Sequence, residues 1–141
     1  MMQNAYLVLL VDRKHSKMIM LREGSVQEQE EFTSSNIPQR VRHGDDTWDA
    51  QDKIDRHIQD HISKHLIHMG KSAKIFADKN HATAVIIGGH QTFFPQIKKH
   101  LPKDISEKVK GTFIIDFKAP FNDILERANK LIATIENPQL S

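Results

Sequence analysis

From Ile54 to Phe76 the apolar residues return at steps of four and three: Ile54, Ile58, Ile62, Leu66, Met69, Ala73 and Phe76. This is the stripe of one long amphipathic helix, and whatever fold the chain adopts must lay that stripe on a core. Asp46 or Thr47 is a candidate N-cap, and Asp49 suits the positive end of the helix. Gly70 lies inside the stripe, where glycine costs about 1 kcal/mol in helix propensity. The phase survives it, so the pattern predicts one helix to about Lys79, bent near Gly70.

Three strands precede this helix. Asn4–Lys14 carries the apolar run AYLVLLV, which reads as a buried strand. His15 and Ser16 read as a turn, Lys17–Gly24 as a second strand, and Ser25–Ser35 as a third. The glutamates of the third discourage edge-to-edge pairing, which predicts a sheet edge. The short connections imply an antiparallel meander. After the long helix come a buried strand (TAVIIGG), a helix with Pro95 in its first turn, a helical turn (KDISEKV) and another buried strand (GTFIIDF). A final helix begins at Phe121, with apolar positions 124, 125, 128, 131, 132 and 135. The order β-β-β-α-β-α-β-α implies an α/β fold with helices on both faces of a mixed sheet, the ribonuclease H-like layout.

The 141 residues are most simply one domain, 1–141, with a core from about residue 5 to 135. No cysteine is present, which excludes disulfides, thiolate-bound zinc and a thiol nucleophile. No apolar run approaches the ~18 residues of a membrane span, and AYLVLLV lacks the basic flank and small-residue site of a signal peptide. The expectation is a cytoplasmic protein with no membrane partner. A net charge of +2 does not by itself argue for a polyanion partner. Nothing in the sequence fixes an oligomeric state.

Several segments carry candidate chemistry. The loop IPQRVRHGDDTW offers Arg40, Arg42 and His43 for RNA phosphates, with Gly44 permitting close approach and Trp48 available for stacking. Lys53 and Arg56 would extend that basic surface along the helix. The plainer reading is a connector with solvated arginines and a tryptophan anchoring the helix start. His57, His61, His65 and His68 form a row beside the apolar stripe; histidines four apart can chelate a metal, but HIQDH is not the zincin motif. We read the row as a half-exposed, pH-sensitive flank and expect no metal and no cofactor. Gly88–Phe94 (GGHQTFF) reads as a tight strand-to-helix turn sooner than an anion cradle. Asp12 and Asp116, with Asp49 or Asp52, keep open a Mg²⁺-dependent nuclease. Lys98, Lys99, His100, Lys103, Lys108 and Lys110 read as a solvated basic face that an RNA surface would also use.

The stretches LLVDRKHSKMIMLREGSV, IPQRVRHGDDTWDAQDKIDRHIQDHISKHL and AVIIGGHQTFFPQIKKHLPKDISEKVKGTFIID, in this order, resemble the central domain of archaeal and eukaryotic class 1 peptide-chain release factors and of Pelota, and most of all their stand-alone bacterial relatives. The release factors carry a Gly-Gly-Gln motif in the loop before the long helix, where it promotes peptidyl-tRNA hydrolysis. Here Gly44 is followed by Asp45 and Asp46. Two carboxylates in a phosphate-lined site would be repelled, so the resemblance does not carry the hydrolytic activity over, and the catalytic residues stay unassigned. Pelota also lacks the motif and acts on ribosomes. The resemblance therefore implies an accessory protein of translation that binds ribosome or tRNA through the basic loop, without stop-codon reading. The alternatives are the nuclease and a protein-interaction module that has lost RNA contact.

Overall fold

The computed structural model describes residues 4–33 and 48–137, and of residues 48–55 and 57 the backbone alone. Its elements are β1 (Ala5–Val11), β2 (His15–Arg22), β3 (Ser25–Thr33), α1 (Trp48–Lys79), β4 (Ala84–Gly89), α2 (Phe94–His100), α3 (Lys103–Ser106), β5 (Val109–Ile114) and α4 (Phe121–Glu136). The sheet order is β3-β2-β1-β4-β5. β1, β2 and β3 pair antiparallel, whereas β4 runs parallel to β1 and β5 parallel to β4. This is the mixed sheet that the sequence implies.

The position of β1 explains its unbroken apolar run. All seven of its residues are buried, because both faces of the central strand are covered. Leu7, Leu9 and Val11 join a core with Leu66, Met69, Phe76, Ile97 and Ile105 of α1, α2 and α3. Tyr6, Val8 and Leu10 join a second core with Ile124 and Ala128 of α4.

The turns differ in part from expectation. The first turn is Asp12–Lys14, and His15 and Ser16 already belong to β2. Asp12 builds it: Oδ1 accepts the backbone N–H of Lys14 at 2.9 Å and of His15 at 2.5 Å, a local bond that competes with strand extension. The β2–β3 hairpin turns on Glu23 and Gly24, both at positive φ, as the twist of a two-residue turn requires.

β3 is the expected edge strand. Leu21 pairs with Val26 and Met20 with Glu28, so Gln27 has no opposite residue. This bulge switches which residues face which layer: Val26 packs on the α4 side and Phe32 on the α1 side. β5 is the other edge and is only half-buried, not buried as expected; Ile114 is exposed. Burial of an apolar strand depends on its place in the sheet, which its own sequence does not encode.

Gly70 is accounted for by contact. A Cβ there would run into the carbonyl oxygen of His100 and lie 3.5 Å from Pro102 Cδ. The missing side chain lets the end of α2 close onto α1.

Candidate functional site

β3 ends at Thr33 beside His15, where β1 has just finished. α1 starts at Trp48 and ends at the opposite end of the strands, where Arg22, the last residue of β2, donates to the Asn80 carbonyl at 3.0 Å. Both anchors of the segment 34–47 therefore lie toward the C-terminal ends of the parallel strands. Among the described side chains of α1, those packed on the core begin at Ile58. Trp48 precedes Ile58 by about 15 Å of helix.

Arg40, Arg42, His43 and Gly44 lie outside the described residues, as do Asp46 and Thr47. Trp48 and Lys53 sit in the first turns of α1, with their side chains outside the description, and Arg56 is exposed on that helix.

The histidine row is not one surface. His57 lies outside the described side chains, His61 is half-buried, His68 is exposed, and His65 is buried at 1% exposure. The half-exposed flank expected at that position is corrected: His65 falls three residues after Ile62 and four before Met69, so it belongs to the core face. Its Nε2 lies 3.2 Å from the buried Ser16 hydroxyl, and its ring leans on Phe32 at 5.5 Å. Burial pushes the His65 imidazole below its ordinary range, against an opposing hydrogen bond with the His15 backbone and the charge of Asp12. Among the described residues no three His, Asp or Glu side chains gather as a metal site.

What the fold does gather is a cleft. Outside the C-terminal ends of β1 and β4 lies a concavity of about 660 Å³, into which α1 and the segment after β5 also reach. Leu10, Val11, Ile62 and Ile115 give it an apolar floor; Arg13, Lys14, Gln59, His90 and Gln96 give it a polar rim. This is where open α/β sheets place ligands. No short motif announces it, because its lining comes from four separate segments. The element order, with strands and helices alternating after the meander, is the one signal in the sequence that points to it.

Asp12 and Asp116 both line this cleft. Asp12, however, is engaged by its own turn: Nδ1 of His15 lies 3.2 Å from Oδ1 and 3.1 Å from Oδ2, besides the two backbone donors. Asp116 Oδ1 accepts the Lys118 N–H at 2.8 Å. Both carboxylates thus act as turn builders, which weighs against a two-metal nuclease. Gly88 and Gly89 follow from packing: a Cβ on Gly88 would lie 2.5 Å from Leu10 Cδ2 and 2.6 Å from Phe113 Cζ, and Gly89 has φ +152°. The lysine cluster does not border the loop anchors. Lys103 and Lys108 lie at the opposite end, where Lys108 Nζ donates to the Ala82 carbonyl at 3.3 Å.

A family model described as bacterial archaeo-eukaryotic release factor family 10 matches residues 2–133. Among solved structures, the fold is similar to that of the archaeal translation termination factor aRF1, with a TM-score of 0.54 and 11% identity over 97% of this chain and 40% of that one. It is similar in the same degree to an archaeal protein, with a TM-score of 0.53, 12% identity and the same coverage. The chain thus spans 40% of the length of these two structures. No curated protein matches.

Proposed function

We propose, from the premise that this chain belongs to bacterial archaeo-eukaryotic release factor family 10, that it is an accessory protein of translation binding ribosome or tRNA through a basic loop. Family membership supports the translation context. The contact surface is Arg40, Arg42, His43 and Gly44, continued by Trp48, Lys53 and Arg56. The observation that carries this reading is the mounting of the segment. One anchor ends a strand and the other starts a 32-residue helix, and both lie at one end of the sheet. A loop so held meets a large partner with little ordering cost beyond its own. The arginines supply sequence-independent phosphate contacts. Asp45 and Asp46 stand where a hydrolytic motif would need neutral groups, so the proposed role is binding without peptidyl-tRNA hydrolysis, in the cytoplasm.

Co-sedimentation with ribosomes across a salt series tests this. Wild type is expected to bind at low salt and to release steeply as salt rises, and Arg40→Glu/Arg42→Glu is expected to lose binding. Wild type that stays in the supernatant at the lowest salt overturns the proposal.

A further inference from the structure

The cleft at the strand ends has no role in the loop reading, and its rim groups share one property. Arg13, Lys14, His90, Gln59, Gln96 and Thr92 make no side-chain hydrogen bond or ion pair among the described residues, although all line one concavity. Asp12, which precedes Arg13, is engaged by its turn and by the His15 ring. Arg13 and Lys14 bring two positive charges to the rim against the single neighbouring carboxylate of Asp12.

The chemistry sorts by position. Two adjacent cations answer a phosphate. Two carboxamides, on α1 and α2, each offer a donor and an acceptor in one plane, which is what the edge of a heterocyclic base needs. The half-buried Phe93 ring and the apolar floor supply a surface for stacking and burial of a flat ring. The volume of about 660 Å³ falls in the range of small-ligand clefts. The exposed Asp116 carboxylate, which also lines the cleft, disfavours a longer phosphate chain and can accept from a ribose hydroxyl.

We infer that this cleft binds one nucleoside monophosphate unit, through Arg13 and Lys14 at the phosphate and Gln59 and Gln96 at the base. The unit comes either as a free nucleotide or as an unstacked nucleotide of a single-stranded RNA. None of these residues belongs to the basic loop, so the inference stands or falls apart from the loop reading.

Calorimetric titration of the full chain with AMP, GMP, CMP and UMP, and in parallel with a short mixed-sequence single-stranded RNA, tests it. Saturable one-site binding of at least one monophosphate or of the RNA is expected. Arg13→Glu/Lys14→Glu and, separately, Gln96→Ala are each expected to weaken it by about tenfold or more, with thermal unfolding unchanged because these side chains are exposed. Arg40→Glu/Arg42→Glu is expected to leave monophosphate binding intact. A monophosphate at least as tight as the RNA assigns the free nucleotide; an RNA that binds tighter yet still loses affinity in the cleft variants assigns the strand. Absence of saturation by every ligand into the millimolar range, or binding that both cleft variants retain in full, overturns the inference.

Discussion

His65 allows a pH experiment whose sign is fixed by its surroundings. Its imidazole is buried against Phe32, with Ser16 Oγ at 3.2 Å. Burial outweighs the opposing pull of Asp12 and of the His15 backbone, and the neighbouring His15 and His68 add to the downward shift. The folded state therefore resists the proton that the unfolded chain accepts near its ordinary value of about 6.5. Above that value both states are neutral and the fold keeps its full stability. As pH falls below it, the unfolded state gains a proton that the folded state refuses, and stability drops. The slope for one such group approaches about 1.4 kcal/mol per pH unit until the folded group itself titrates. The assay is thermal unfolding from about pH 7.5 to about pH 5.5, with wild type beside His65→Gln, in which a neutral amide still meets the Ser16 hydroxyl. The difference between the two isolates this imidazole from the other eight histidines. Wild type is expected to lose more stability than the variant over that interval, by up to about 1.4 kcal/mol, the bound for a single group that stays neutral in the folded state. Parallel curves, or a wild type that gains on the variant as pH falls, refute the argument.

Two glycine substitutions separate packing from propensity. Gly70→Ala gains about 1 kcal/mol of helix propensity but drives a methyl into the His100 carbonyl, so a net loss of about 1–2 kcal/mol is expected from overpacking; chemical denaturation showing a net gain contradicts the close-approach reading. Gly88→Ala presses on Leu10 and Phe113 and is expected to cost about 1–3 kcal/mol by the same measurement, whereas unchanged stability removes the packing explanation for that glycine.

Elements whose burial follows from local pattern were legible in the sequence. The seven-residue run of β1 is apolar throughout because neither face meets water, and glycine stands at position 70 of the α1 stripe because the contact there needs space. β3 alternates weakly for a cause that single-residue spacing hides: the bulge at Gln27, the third residue of the strand, exchanges its two faces. β5 reads as buried because its composition is apolar, while its exposure follows from being last in the sheet order. His65 was misassigned because four histidines at helical spacing look like a common surface, although its offsets from Ile62 and Met69 place it on the core side. The loop arginines were legible as a basic segment. The cleft was not, since Arg13, Gln59, His90 and Gln96 converge only after the sheet is assembled.

That assembly order has a consequence for synthesis. β1 finds its antiparallel partner within a few residues, but its parallel partner β4 begins only at Ala84. At about 5–20 residues per second, the ribosome takes roughly 4–15 s to make the intervening chain. For that interval the nascent meander exposes the open side of its most apolar strand, before β4 exists to pair with it. The glutamates of β3 shield the outer edge, and nothing comparable lies within AYLVLLV on the inner one. The vulnerable species of this protein is thus its own half-made N-terminal hairpin, and slow translation between Ser25 and Ala84 would lengthen the time it must survive unpaired.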